Sequence, residues 1–188
     1  MSISRADIVV VGGGIVGLAT AHRILEARPD LSVTVVERED RVGTGQSSRN
    51  SGVLHAGLYY APGSAKARWS REGRHALEQF CDEHDVPVLR CGKLVVAVSE
   101  DELPRLRALA DRARMNGVQV EELDAAGCRE LEPAVNAIAG IHSPRTAVTD
   151  FGSVCKALGK SIEARGGTIV TNAEVRSVTS VGVRKTRV

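Results

Sequence analysis

An α/β fold built on a Rossmann-like parallel sheet is what this sequence predicts, on three observations. A β-branched run, Ile8 to Val11, closes on Gly12, Gly14 and Gly17 in G-x-G-x-x-G spacing. From Ile15 the apolar positions Leu18, Ala21 and Leu25 recur at helical spacing, and Pro29 stands just beyond them. A second apolar run, Val33 to Val36, ends on Glu37, twenty residues after Gly17. Unbroken apolar runs read as strands buried on both faces of a parallel sheet. Strand, glycine turn, helix, strand and acid, in that order, make a dinucleotide-binding βαβ unit.

Each position has a chemical reason. Gly12 permits the tight turn, Gly14 lets a pyrophosphate lie against bare backbone, and Gly17 lets helix and strand pack closely, while the helix N-terminus offers N–H groups and a positive dipole end. Glu37 is placed to accept hydrogen bonds from an adenosine ribose and would repel a 2′-phosphate, although the adjacent Arg38 would favour one. The alternative is a glycine-rich structural turn. The fingerprint does not choose between NAD and FAD. After Glu37 the chain enters DRVGTGQSSRNSGVLHAG rather than another helix and strand. Small, hydroxyl-rich residues there suit a path beside a pyrophosphate and ribityl chain, which favours FAD; a solvated surface loop is the competing reading.

The later elements follow from caps and periodicity. Ser64 caps a helix whose apolar face is read as Trp69, Gly73, Ala76, Leu77 and Phe80, a core stripe. KLVVAV, residues 93–98, reads as a strand. Ser99 and Glu102 form an S-x-x-E capping box before a helix with Leu103, Leu106, Leu109 or Ala110, and Ala113 inside and Gly117 as its stop. Asp150 or Thr149 caps a last helix in which Val154, Leu158 and Ile162 repeat, ended by Gly166 and Gly167. TIVTNAEVRSV then reads as a sheet strand.

Composition narrows the function classes. With 188 residues, 43% of them hydrophobic, the chain can bury a core of one domain or slightly more. Lys and Arg (25) nearly balance Asp and Glu (23), and aromatics make up only 3%, which argues against a nucleic-acid partner. Cys81, Cys91, Cys128 and Cys155 form no C-x-x-C pair and read as buried reduced thiols. His22, His75, His84 and His142 show no spacing suited to a metal and read as solvated or helix-surface side chains. No stretch is long and apolar enough to span a membrane, and no signal peptide is evident, so a cytoplasmic location is expected.

The glycine fingerprint with Glu37, followed by SSRNSGVLHAGLYYAPGSAKAR, CGKLVVAV and GIHSPRTAVTD, resembles the N-terminal half of the L-2-hydroxyglutarate oxidase/dehydrogenase family, within the FAD-dependent D-amino-acid-oxidase-like superfamily. RNSGVLHAGLYY is the specific part. The resemblance reaches to about Thr179. It implies a noncovalent FAD that oxidises the C2 hydroxyl of L-2-hydroxyglutarate to 2-oxoglutarate and passes electrons to oxygen or a respiratory quinone, and peripheral attachment to the inner membrane is the alternative to a purely cytoplasmic location. Ser47, Ser48, Asn50, Ser51 and Gly52 would line the pyrophosphate, ribityl chain and flavin edge, and the backbone at Val175 would contact adenine. His55 would stand near the reactive face. Oxidising a secondary alcohol requires a group to take the hydroxyl proton, and an imidazole suits that task near neutrality. Orienting the substrate, packing beside the flavin, or a covalent link to it are the alternatives for His55. Tyr59 and Tyr60 are the candidate donors to substrate carboxylates; Lys66 and Arg68 read as helix-capping and surface residues.

The resemblance also implies a glutathione-reductase-2-like FAD-binding domain carrying part of an inserted α+β substrate domain. Residues 1–85 would be the first part of the FAD domain, 86–140 the start of the substrate domain and 141–188 the return. The C-terminal VGVRKTRV does not resemble the family's continuation, so the chain is expected to be a fragment or truncated product. Two further readings stay open: a nucleotide-binding remnant without turnover, and a related enzyme acting on glycerol-3-phosphate or an amino acid.

Overall fold

The computed structural model describes residues 5–182 and 185–188; Val183 and Arg184 of the VGVRKTRV segment and the first four residues lie outside the described residues. In chain order the elements are β1 (Ile8–Val11), α1 (Ile15–Ala27), β2 (Val33–Val36), β3 (Val53–Leu54), α2 (Ala65–Glu83), β4 (Val88–Leu89), β5 (Lys93–Ala97), α3 (Leu103–Met115), β6 (Glu121–Asp124), α4 (Ala125–Leu131), β7 (Ala139–Ser143), β8 (Ala147–Thr149), α5 (Phe151–Ala164), β9 (Thr168–Val170), β10 (Thr179–Gly182) and β11 (Lys185–Arg187). They divide into two compact units, Met1–Asn50 with Asp150–Val188, and Ser51–Thr149.

The first unit holds a parallel sheet in the order β1-β2-β9, with Val9 opposite Thr34 and Val35 opposite Ile169. Central β2 buries Val33, Thr34 and Val35, as a strand between two neighbours should. β1 departs from the expectation of burial on both faces: Val9 is 37% and Val11 55% exposed. It is the edge strand among the described residues, so only its alternate side chains meet the layer of helices. That layer is α1 packed on α5, through Leu18, Ala21 and Leu25 on one and Val154, Leu158 and Ile162 on the other, all buried. Ser161 of α5 bonds His22 of α1 through Oγ and Nδ1 at 3.2 Å, so this histidine is half-buried rather than solvated. Asp150 is the cap of α5, its carboxylate accepting from the N–H groups of Gly152 and Ser153. The last predicted strand is shorter than its apolar content suggests. β9 stops at Val170, and Asn172, in the left-handed region at φ 53°, turns the chain back so that its N–H donates to Glu39 O.

The second unit contains two antiparallel sheets, β3-β8-β4 and β5-β7-β6. α3 covers the latter with Leu106, Ala110 and Ala113, which join Ala97 and Ile141 in one core with Ala56 and Leu58. Ser64 caps α2 by accepting from Ala67 N–H, but the buried stripe of α2 is Ala67, Arg74 and Cys81, and Trp69 is 62% exposed. The apolar stripe and the buried one stand side by side on this helix, and periodicity alone does not choose between them. The capping box is also revised. A 3₁₀ turn at Glu100–Glu102 precedes α3, and the Glu102 carboxylate accepts from Val98 N–H, while Ser99 makes no cap bond. Gly117 ends α3 with φ 68°, as its position suggests.

The observed unit boundary falls at 50/51 and 149/150 rather than at 85/86 and 140/141. The reason is pairing: β8 hydrogen-bonds β3 on one side and β4 on the other, tying residues 53–54, 88–89 and 147–149 into one sheet. Cys81, Cys128 and Cys155 are buried, whereas Cys91 is exposed, against the expectation for all four. His142 is likewise not free in solvent; its Nδ1 lies 3.1 Å from Glu121 across the β6–β7 pair. Among the described residues, no helix is long and apolar enough to cross a membrane and no cluster suits a metal ion.

Candidate functional site

The glycine turn between β1 and α1 opens onto a cleft of about 560 Å³ in the first unit. Its three fingerprint glycines are required for three different reasons. Gly12 has φ 102° and would meet nothing within 4 Å if it gained a Cβ, so its requirement is conformational. A Cβ on Gly17 would lie 2.1 Å from the carbonyl oxygen of Gly12, so its requirement is the close seating of α1 on the turn. Gly14 is extended, at φ −76° and ψ 172°, a conformation open to any residue, and a Cβ there would meet only Ser47 Oγ, at 3.3 Å. Strain does not explain Gly14 and packing does so only in part; bare backbone at this position leaves room for a ligand to approach the turn.

Gly13, which the fingerprint leaves free, is also constrained. Its Cβ would meet Glu37 Oε2 at 3.0 Å and Val42 at 3.1 Å, and its N–H donates to Glu37 Oε2 at 2.6 Å. The other carboxylate oxygen of Glu37 accepts from Glu39 N–H at 3.0 Å. Glu37 therefore ties the glycine turn to the end of β2. A carboxylate offers about four lone-pair sites, so two bonds leave capacity for the hydroxyls of a ribose.

Ser47 completes the turn. Its Oγ accepts from Ile15 N–H at 2.9 Å, satisfying one orphan donor in the first turn of α1, where Gly14 contributes no side-chain cap. It also bonds Cys155, whose thiol is pushed above the ordinary range by burial, with the Ser47 bond opposing. Gly12, Gly14, Glu37, Arg38, Ser47 and Val175 all line the cleft. So does Arg49, which sequence reasoning passed over because it stands in a loop with no periodicity. An anion at the N-terminus of α1 would face a dipole end, bare backbone and nearby guanidinium groups, and a ribose would face Glu37. The residues present fit the adenosine diphosphate portion of FAD.

The remaining candidates lie elsewhere. Gly17 acts behind the cleft. Ser48 and Asn50 belong to the same unit but do not line it: Ser48 donates to Gly45 O, and Asn50 Nδ2 donates to the carbonyls of Gln46 and Ser47, closing a 3₁₀ turn at Gln46–Ser48. Ser51, Gly52, His55, Tyr59 and Tyr60 belong to the second unit. Gly52 has φ 69°, and a Cβ would sit 2.6 Å from Thr149 O, so both the left-handed backbone and the β3–β8 pairing require glycine there.

Within the second unit, the His55–Tyr60 segment is held from below. Asn116, 6% exposed at the end of α3, donates from Nδ2 to the carbonyls of Gly57, at 3.1 Å, and Tyr60, at 2.9 Å. The Lys93 ammonium sits 4.7 Å from the centroid of the Tyr59 ring, a cation–π contact. His55 presents an exposed edge, yet partial desolvation first, and the charge of Lys93 second, hold its pKa below the usual histidine value. A neutral imidazole at neutral pH can accept a proton. Asn116 is the positioning residue that the sequence hid, since an Asn-Gly pair after a helix reads simply as a stop.

The model of the family described as DAO, FAD dependent oxidoreductase, matches residues 7–188. The chain belongs to this family. Its relatives include an L-2-hydroxyglutarate dehydrogenase of Caenorhabditis elegans mitochondria, 42% identical over 95% of this chain and 41% of the relative. The L-2-hydroxyglutarate dehydrogenase of Escherichia coli strain K12 is 40% identical over 90% of this chain and 40% of its own length. Among solved structures, FAD-bound L-alpha-glycerophosphate oxidase from Mycoplasma pneumoniae superposes with a TM-score of 0.82 at 27% identity, over 92% of this chain and 46% of that one. L-proline dehydrogenase from P. horikoshii, with a TM-score of 0.82 at 20% identity over 93% of this chain and 46% of that one, shares the fold. The chain spans about two fifths of the length of the curated relatives it matches.

Proposed function

We propose that this chain contributes the nucleotide-binding unit and a portion of the substrate domain of an FAD-dependent enzyme that oxidises L-2-hydroxyglutarate to 2-oxoglutarate. The observation that carries the reading is the 42% identity to an L-2-hydroxyglutarate dehydrogenase across 95% of the chain. The cleft at the glycine turn takes the adenosine diphosphate portion of FAD: Gly14 gives bare backbone to the pyrophosphate, Glu37 accepts from the ribose, Ser47 holds the helix N-terminus, and the backbone at Val175 meets adenine. Ser48, Asn50, Ser51 and Gly52 are the residues that meet the ribityl chain and flavin edge. Bound FAD supplies a two-electron acceptor.

His55 takes the C2 hydroxyl proton as the C2–H bond breaks with its electron pair and the carbonyl forms, so the substrate loses two electrons and two protons in all. The lowered pKa of His55 supports this role, because the neutral base is the form that works. Tyr59 and Tyr60 donate to the substrate carboxylates, with Asn116 keeping their backbone in place. Residues 51–149 serve as the substrate-domain portion. Electrons leave to oxygen or to a respiratory quinone, in the cytoplasm or at the inner membrane surface.

A second reading, a nucleotide-binding remnant without turnover, is favoured by the glycine-turn cleft being lined wholly from the first unit. Absorbance of the purified chain with FAD, before and after anaerobic addition of L-2-hydroxyglutarate, separates the two. Bleaching of the flavin bands by this substrate supports the enzyme; a bound flavin that stays oxidised leaves the remnant. Bleaching by glycerol 3-phosphate instead would move the assignment toward the oxidase with which the fold superposes.

A further inference from the structure

A second cleft, of about 340 Å³, lies wholly within the Ser51–Thr149 unit. Arg71, Arg74 and His75 of α2, Gln119 after α3 and Arg145 of the β7–β8 turn line it, over a floor that includes Val118. No carboxylate lines it among the described residues. Arg74 is 8% exposed. Its Nη1 donates to Glu78 Oε1 at 2.8 Å and to Arg145 O at 3.4 Å, and its Nη2 lies 3.3 Å from His75 Nε2. Its Nε is fully buried and has no hydrogen-bond partner among the described residues. Arg71 Nη1 donates to Asn116 O at 3.2 Å.

Donors exceed acceptors at this place. A guanidinium carries five N–H donors and no acceptor, and a buried donor without a partner costs free energy. Three guanidinium groups converge here with a single carboxylate, Glu78, behind one of them. Mutual repulsion of the remaining charges is relieved by an anion whose oxygens accept from several N–H groups at once, the geometry for which arginine is suited. We propose that this cleft binds a small oxyanion, a phosphate or carboxylate group, between Arg71, Arg74 and Arg145. The glycine-turn cleft belongs to the other unit, so this binding does not depend on the FAD assignment.

Isothermal titration of the 188-residue chain with sodium phosphate, at ionic strength fixed with sodium chloride, is expected to show saturable one-to-one binding with Kd on the order of 1 mM or tighter. Malonate as competitor distinguishes the sources: displacement of phosphate assigns a site for carboxylate and phosphate alike, and no displacement assigns phosphate alone. Arg71→Gln with Arg145→Gln, both on exposed side chains, should weaken phosphate binding by about ten-fold or more. If that double variant loses its native circular dichroism, Arg145→Gln alone serves, since the Arg145 carbonyl that receives Arg74 is unchanged; its expected loss is about three-fold. Absence of saturable binding, or variants that bind phosphate as tightly as the parent, would overturn the proposal.

Discussion

Replacing Gly17 and Gly14 by alanine, one at a time, separates the glycine that the fold needs from the glycine that the ligand needs. At Gly17 the new Cβ would lie 2.1 Å from Gly12 O, and α1 must move about 0.9 Å from the turn to reach the 3.0 Å that is the practical limit for such contacts. The obstacle is a backbone carbonyl, so no rotamer change relieves it. Helix propensity alone predicts a gain of about 1 kcal/mol for glycine to alanine inside a helix, but overpacking of this kind costs about 1 to 3 kcal/mol. We expect Gly17→Ala to lower stability by about 2 kcal/mol or more in urea denaturation followed by circular dichroism. At Gly14 the backbone is extended and the Cβ meets only Ser47 Oγ at 3.3 Å. Gly14→Ala should therefore stay within about 0.5 kcal/mol of the parent. Its FAD affinity, read by flavin fluorescence quenching, should fall about ten-fold or more, because the methyl group occupies the approach of the pyrophosphate. A Gly17→Ala chain as stable as the parent, or a Gly14→Ala chain with undiminished affinity, would refute this division of roles.

Glu37→Gln leaves a single acceptor oxygen for the two backbone N–H groups of Gly13 and Glu39. It should cost about 1 to 3 kcal/mol in the same denaturation assay, and a neutral result would show that the turn holds without Glu37. The His55 ring protons, followed by NMR, should titrate with a midpoint below the ordinary value of about 6.5. Lys93→Met should raise that midpoint by removing the second of its two causes, and an unchanged midpoint would assign the shift to desolvation alone. A thiol reagent should modify one cysteine, Cys91, in the native chain and all four in denaturant.

Much of the first unit was legible in the sequence because one physical requirement fixes each position. The glycine spacing, the Leu18, Ala21 and Leu25 stripe, and the Asp150 cap each have a local cause that acts over a few residues, and the structure places them accordingly. Misreadings arose where a neighbour distant in sequence decides. β1 reads as doubly covered, but its coverage depends on what lies beyond the sheet edge. Trp69 outranks Ala67 and Arg74 in hydrophobicity, yet the small alanine and the arginine face inward. Arg74 is buried because Glu78 and the Arg145 carbonyl stand ready for it, a circumstance no periodicity records. At the candidate site, the fingerprint identifies Gly14 and Glu37, while the double bond of Glu37 to the turn and the grip of Asn116 on the Gly57–Tyr60 backbone need coordinates to be seen.

The central claim is that the cleft at Gly14, Glu37 and Ser47 receives the adenosine diphosphate end of FAD. Competition binding with FAD, ADP and FMN tests it most directly, because FMN carries the flavin without the adenosine. The account predicts that the chain binds FAD, that ADP displaces it, and that FMN neither binds comparably nor competes. Binding of FMN as tight as that of FAD, or FAD binding indifferent to saturating ADP, would contradict it.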